Sequence, residues 1–270
     1  MKQRIITALI LAPLVLLGVL FLPTAALMAL AAAVMLGGLW EWTRMAGVQG
    51  RVKRALILLL HAGVMVYLAW RGWPALFPWI VVLGVAFWIG ASVWLRYPAF
   101  AKEGKGACTL KVLSGSLLVV PTWCAIGLLH SDPRNGPVWT LFALFIVWAA
   151  DTFAFFSGRR FGGPKLAPAI SPAKTWAGFW GGLFGVVVLA LLAAPVLGVS
   201  LDRLPWLLLA SLVAGLAAVV GDLFESLVKR QAGVKDSSAL IPGHGGLFDR
   251  IDSIVAALPV FAFLKAWLEL

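Results

Sequence analysis

The sequence of residues 205–224 is PWLLLASLVAGLAAVVGDLF, an apolar run of 20 residues in which Asp222 is the only charge. A helix of about 20 mostly apolar residues spans the hydrocarbon core of a bilayer. This stretch therefore predicts a transmembrane helix. The fold then depends on how many stretches of this kind the chain contains.

Eight further apolar stretches are long enough to cross a membrane. We predict nine spanning helices, at residues 5–22, 24–40, 55–70, 74–95, 112–130, 138–156, 178–199, 205–224 and 251–269. The predicted fold class is an all-α polytopic integral membrane protein.

Composition excludes a soluble fold. Of the 270 residues, 62% are hydrophobic and only 12% are charged, which is too little charge for the surface of a soluble domain. The formal net charge of +11 does not indicate nucleic-acid binding, because a soluble basic protein needs a solvated face that this composition lacks. The two cysteines, Cys108 and Cys124, form neither a disulfide framework nor a zinc quartet.

The distribution of basic residues predicts the topology. With the N-terminus placed in the cytoplasm, eighteen of the 22 Lys and Arg residues fall on the cytoplasmic side. Only Arg71, Arg134 and Arg203 fall outside, and Lys265 lies near the end of the last span. The C-terminus is therefore predicted to be external.

Charge inside the spans is concentrated in the second half of the chain. Residues 1–135 are predicted to form a transmembrane scaffold of about five helices. Residues 136–270 are predicted to form a catalytic region of about four helices, with cytoplasmic loops at 157–177 and 225–250.

Five carboxylates mark the candidate chemistry, because ionisable groups in spanning segments are costly and usually functional. They are Asp151, Asp222, Glu225, Asp249 and Asp252. Asp222 and Glu225 are three positions apart, which places them on one helix face. An oxygen-rich cluster of this kind suits Mg²⁺, which takes a few carboxylates together with phosphate oxygens. For at least one of Asp249 and Asp252, helix capping is the structural alternative.

A basic pair follows each intramembrane acid, Arg159-Arg160 after Asp151 and Lys229-Arg230 after Asp222. Continued helices would place each pair roughly 10–13 Å nearer the cytoplasm than its acid. This spacing predicts a cationic rim that receives phosphates above a metal. The alternative is that each pair only marks the membrane boundary.

Two polar segments carry further candidate groups. Ser171, Lys174 and Thr175 precede the seventh span, where they suit either phosphate binding or helix capping with an interfacial lysine. The run Gly243-His244-Gly245-Gly246 lets backbone approach a ligand closely, with His244 as a phosphate or proton partner. Alone, such a run is usually a turn.

A signature spread over about 27 positions connects these groups. Its parts are Ser226, Lys229-Arg230, Lys235-Asp236, His244-Gly245-Gly246 and Asp249-Arg250-x-Asp252. It resembles the C-terminal signature of the phosphatidate cytidylyltransferases, which are integral-membrane CDP-diacylglycerol synthases. The Ser171-Pro172-x-Lys174-Thr175 loop and the Asp151 segment are also similar to that family. The resemblance thus covers about residues 136–270, whereas the first half agrees only in having several spans.

The resemblance implies transfer of a cytidylyl group from CTP to phosphatidic acid, giving CDP-diacylglycerol and pyrophosphate. The residues fit this reaction, since divalent metal would neutralise the anionic nucleophile and leaving group together, and two ions would clamp both sides of the displacement. We assign the metal to Asp222 and Asp249, with contributions from Asp151, Glu225 or Asp252. The remaining assignments are catalytic roles for Lys229, Arg230 and His244, and substrate binding by Ser171, Lys174, Thr175, Arg159, Ser226, Lys235 and Arg250.

One position departs from the family pattern, since this chain has Ala177 where the family usually has Glu after the Trp of the loop. We interpret that Glu as a supporting group. The resemblance also implies a homodimer, and a compact chain without a transit peptide favours a bacterial inner membrane. Two alternatives are another CTP-using lipid enzyme, such as a polyprenol kinase, and a transporter of an ion or an anionic lipid.

Overall fold

The computed structural model describes residues 2–72, 75–240 and 245–270, and within them the chain forms nine α-helices. They are α1 (Lys2–Phe21), α2 (Thr24–Met45), α3 (Arg51–Tyr67), α4 (Phe77–Trp94), α5 (Lys105–His130), α6 (Gly136–Phe161), α7 (Trp176–Ala193), α8 (Leu204–Gln231) and α9 (Ile254–Trp267). A π-helical turn, Leu68–Gly72, continues α3, and a 3-10 turn, Phe248–Arg250, precedes α9.

Seven helices in the described part of the chain, α2 to α8, are long and apolar enough to cross a membrane. Two further apolar stretches are shorter, Leu11–Phe21 in α1 and Ile254–Trp267 in α9. The predicted helical integral membrane protein is therefore confirmed. The count of nine crossings, with its orientation, stays a prediction.

Two helices that carry predicted site residues extend beyond their predicted spans. Helix α6 continues to Phe161 and α8 continues to Gln231, so the first part of each predicted loop is helical. Basic residues in the last turn of each helix stabilise this extension through the helix dipole. Gly162 (φ +61°) then follows α6 and Gly233 (φ +70°) follows α8, both in backbone conformations that favour glycine.

Part of the predicted cytoplasmic loop 157–177, between α6 and α7, forms a small antiparallel hairpin. Strand β1 (Lys165–Ala167) pairs with β2 (Ser171–Thr175), with Lys165 opposite Thr175. A two-stranded ribbon is marginally stable alone. Here Arg230 donates from Nε to the carbonyl of Ile170 at 3.3 Å, and Ile170 is buried. The hairpin is thus fastened to α8.

An aromatic cluster fixes the rotation of α8. Phe224 is fully buried, and its ring centroid lies 5.9 Å from that of Trp42, 5.6 Å from Phe87, 6.0 Å from Trp88 and 5.2 Å from Trp94. These rings come from α2 and α4. Because Phe224 lies between the two acids of α8, the cluster determines where those acids point.

Glycines allow the helices that carry the acids to approach closely. A Cβ added to Gly221 on α8 would lie 2.4 Å from the carbonyl oxygen of Asp252. On α7, a Cβ added to Gly182 would lie 2.8 Å from the carbonyl oxygen of Ala150 on α6. Small residues permit this backbone contact between membrane helices. Both contacts lie next to predicted site residues.

Candidate active site

A cavity of about 630 Å³ lies between α6, α7, α8 and the hairpin. This volume lies within the usual range for small-molecule sites, roughly 300–1,000 Å³. Its walls are mostly glycine and apolar side chains. The polar residues that line it are Asp151, Arg159, Lys165, Lys174, Thr175 and Asp222.

An ion pair between the hairpin and α8 borders this cavity. Lys174 Nζ lies 2.7 Å from Asp222 Oδ2, with the two side chains 25% and 28% exposed. Ser226, one turn along α8, donates from its hydroxyl to Asp222 Oδ1 at 3.3 Å. Asp222 is therefore held in place while its carboxylate stays accessible from the cavity.

A second lysine connects α8 to the segment before α9. Lys229 Nζ lies 2.6 Å from Glu225 Oε2 and 2.6 Å from Asp249 Oδ1. The other oxygen of Asp249 accepts hydrogen bonds from the N–H groups of Ser237 and Gly246, at 2.9 and 2.8 Å, and lies 2.8 Å from the hydroxyl of Ser237. Burial opposes ionisation of Asp249, but Lys229 and these donors together lower its pKa below the ordinary value. Asp249 is thus a firmly held carboxylate.

All five predicted acids lie in one region. Asp151 interacts electrostatically with Asp222, and Asp252 interacts with both of them. Glu225 in turn interacts with Asp249 and Asp252. The predicted clustering is therefore observed, with the two lysines placed among the acids.

The acids do not form a ready-made metal cage. Within the described residues, no three of the side chains that bind metals converge on one point. Among the described residues, Glu225 Oε1 is buried and has no hydrogen-bond partner. The carboxylate of Asp222 is open to the cavity. This set fits a Mg²⁺ ion bound by one or two carboxylates and completed by phosphate oxygens and water.

The predicted phosphate-binding cations lie in different places. Arg159 lines the cavity, and Arg250 is exposed and interacts electrostatically with Asp151. Arg230 is exposed and bound to the hairpin, and Lys235 is exposed. His244 lies outside the described residues.

The two hydroxyls of the hairpin differ in role. Thr175 caps α7, because its hydroxyl accepts a hydrogen bond from the N–H of Gly178 at 3.1 Å. Ser171 lies on β2 opposite Ala167 and is half-buried. Ala177 lies in the first turn of α7 and is not among the described residues that line the cavity. The capping alternative therefore holds for Thr175, while Lys174 faces an acid.

Sequence analysis missed Glu41, at the end of α2. Its side chain is only 4% exposed and accepts hydrogen bonds from the hydroxyls of Ser237 and Ser238 and from the N–H groups of Leu247 and Phe248. The available signal was an acid between two tryptophans directly after an apolar span. No role was predicted for Glu41, because residues 1–135 were predicted to form only a transmembrane scaffold.

The sequence profile of the cytidylyltransferase family matches residues 2–268. A phosphatidate cytidylyltransferase of Pseudomonas aeruginosa is 41% identical over 269 residues, covering 98% of this chain and 96% of the relative. A phosphatidate cytidylyltransferase of Haemophilus influenzae is 36% identical over 286 residues, covering 97% of this chain and 98% of the relative. The similarity therefore extends well beyond the residues of the signature.

Proposed function

Because the chain belongs to the cytidylyltransferase family, we propose that it transfers the cytidylyl group of CTP to phosphatidate, forming CDP-diacylglycerol and pyrophosphate for phospholipid synthesis. Its full-length relatives are named for this activity. The structural observation that carries the proposal is the cavity in which Lys174 meets Asp222 beside Arg159. A cavity with both anionic and cationic groups suits a metal-bound triphosphate.

In the proposed reaction, a phosphate oxygen of phosphatidate attacks the α-phosphorus of CTP. The bond from that phosphorus to the bridging oxygen of the β-phosphate breaks, and pyrophosphate leaves. No general base is required, because phosphatidate is already ionised at neutral pH. Stabilisation of negative charge is the main task of such a site. We assign phosphate binding to Lys174 and Arg159, with support from Arg250.

We propose that Asp222 and Asp249 are the main ligands of Mg²⁺, with Asp151, Glu225 and Asp252 in supporting positions and two cation positions in all. When bound, the ion supplies positive charge to the reacting phosphates. Lys174 and Lys229 already neutralise acids of this cluster. We infer that Lys174 exchanges Asp222 for a phosphate oxygen when substrate enters.

The finer topology is part of the proposal. We infer nine crossings, a cytoplasmic N-terminus, an external C-terminus and an active site that faces the cytoplasm of a bacterial inner membrane. The excess of Lys and Arg on one predicted side supports this orientation. The homodimer implied by the resemblance stays a prediction.

One assay tests the function. Purified protein in mixed micelles should convert CTP and phosphatidate with Mg²⁺ to equal amounts of CDP-diacylglycerol and pyrophosphate. Replacing phosphatidate by a polyprenol tests the kinase alternative, in which CDP would be the nucleotide product. Vesicles containing the protein, assayed for ion or lipid movement without CTP, test the transporter. Formation of CDP-lipid only in the first reaction supports the proposal, and its absence there contradicts it.

A further inference from the structure

Two carboxylates from distant parts of the chain hold the same segment. We call this segment the loop base. It consists of Ser237 and Ser238 on one side and, on the other, Gly246, Leu247 and Phe248, which directly precede Asp249. Asp249 accepts hydrogen bonds from both sides of the loop base, and so does Glu41 of α2.

The hydroxyl of Ser237 connects these two acids. Its oxygen lies 2.9 Å from Glu41 Oε2 and 2.8 Å from Asp249 Oδ2, so the two carboxylates share its single O–H proton. The fit is close, since a Cβ added to Gly246 would lie 2.0 Å from the Ser237 hydroxyl and 2.6 Å from Glu41 Oε2. A shift of the Glu41 carboxylate would therefore move a donor of Asp249.

Burial of the Glu41 carboxylate costs free energy unless its hydrogen bonds are kept. The side chain is 4% exposed and forms no ion pair within the described residues. Its four donors comprise two hydroxyls and the N–H groups of Leu247 and Phe248. A carboxylate satisfies four donors, whereas an amide in its place would turn N–H groups towards some of them.

Neighbouring contacts fix α2 against the same segment. Arg44 Nη2 donates to the carbonyl of Ser237 at 2.6 Å. The ring of Trp42 lies 4.9 Å from that of Phe248 and 5.9 Å from that of Phe224, measured between centroids. The end of α2 therefore has a defined position relative to both α8 and the loop base.

We propose that Glu41 is a positioning residue for the proposed active site, acting through Ser237 and the loop base to hold the Asp249 carboxylate in its reactive orientation. The inference rests on the proposed function of Asp249. It gives the N-terminal half of the chain a direct part in the site.

The test compares Glu41→Gln with the native protein in detergent. Turnover at saturating CTP and phosphatidate should fall roughly 10- to 100-fold, as is usual when a group that orients a ligand is lost. Hydrogen–deuterium exchange should become faster in residues 245–250 and stay unchanged in α8. Ser237→Ala should lower turnover in the same way, and the double variant should be no worse than about the more affected single variant.

Two control variants separate positioning from stability. Glu103→Gln removes an exposed acid, and its turnover and exchange should match the native protein. Asp132→Asn breaks a largely buried ion pair with Lys265, outside the cluster of acids, and should lower the melting temperature without faster exchange confined to 245–250.

The outcomes are distinct. Unchanged turnover in Glu41→Gln, additive effects of the two single variants, or unchanged exchange in residues 245–250 would each overturn the proposal. If the native protein transfers no cytidylyl group, the proposed function fails. The exchange experiment then still decides whether Glu41 holds the loop base.

Discussion

Lys174 Nζ lies 2.7 Å from Asp222 Oδ2, joining the hairpin to the last turns of α8. The pair is about three-quarters buried on both sides and borders the cavity. A lysine in this position compensates the acid while the site holds no cation. We propose that the same lysine would become available to a phosphate if a cation took its place beside the acid.

This arrangement predicts the effect of Asp222→Asn. The side chain is partly exposed to the cavity, so an isosteric amide should leave folding intact while removing the charge. Because we propose Asp222 as a main metal ligand, its loss should lower cytidylyl transfer on the order of 10³-fold. Initial rates over a range of Mg²⁺ concentrations, with thermal unfolding in detergent as the control, measure both effects. Near-normal metal-dependent turnover in a folded Asp222→Asn protein contradicts the proposed mechanism.

Asp249→Asn should be equally inactive but less stable. Asp249 accepts from Lys229, Ser237 and Gly246, and an amide cannot accept all these bonds. An unsatisfied buried group costs about 1–3 kcal/mol. The free energy of unfolding should therefore fall more in this variant than in Asp222→Asn.

Lys229 is predicted to be required for the stability of the protein, and the adjacent Arg230 cannot take its place. Its side chain is 13% exposed and lies between Glu225 and Asp249, whereas Arg230 points to the hairpin. Removing one partner of buried ion pairs costs about 3–5 kcal/mol.

Lys229→Met should therefore lower the melting temperature far more than Lys174→Met. The Lys174 side chain is more exposed and pairs with only one acid among the described residues. Thermal unfolding of both variants in the same detergent measures the difference. Equal melting temperatures would show that the Lys229 contacts contribute little to stability.

The sequence predicted the helices and the acids because both leave a local signature. Hydrophobic runs of about 20 residues indicate spans, and a charge such as Asp151 or Asp222 is conspicuous inside them. Spacing also placed Asp222 and Glu225 on one face of α8 before any contact was known.

The contacts of Glu41 and the contact of Lys229 with Asp249 were beyond such reasoning. Two of the donors to Glu41 are backbone N–H groups more than 200 positions away, and a backbone group carries no residue-type signal. Lys229 was assigned to a phosphate-binding rim because it follows Asp222 as part of a basic pair, and its partner Asp249 lies 20 positions further along the chain. Only the packing of the segment before α9 against α8 brings the two together.

Topology gives an independent prediction. Alkaline phosphatase fused after Leu270 should be active, because the enzyme requires an external location and the C-terminus is predicted to be external. The same reporter inserted near Gly104 should be inactive. An insertion at Asn135 serves as the control and should agree with the C-terminal fusion. Equal activity at Leu270 and Gly104 would show that the predicted count of nine crossings is wrong.

The last prediction concerns Gly221, where α8 closely approaches Asp252 and the start of α9 beside Asp222. An alanine Cβ would lie 2.4 Å from the carbonyl oxygen of Asp252 and 2.9 Å from Cβ of Ala256, so the two helices must separate. Overpacking of this kind costs about 1–3 kcal/mol. Separation also moves Asp222 away from Asp252, so turnover should fall together with the melting temperature.

Gly63→Ala is the matched control, since Gly63 lies on α3 and an added Cβ there meets nothing within 4 Å among the described residues. Alanine is favoured over glycine in a helix by up to about 1 kcal/mol, so this variant should be as stable as the native protein or more so, with unchanged turnover. Melting temperatures and initial rates of the two alanine variants therefore test the close approach directly. If Gly221→Ala matches Gly63→Ala in both measurements, the contact between α8 and α9 does not determine the geometry of the acids.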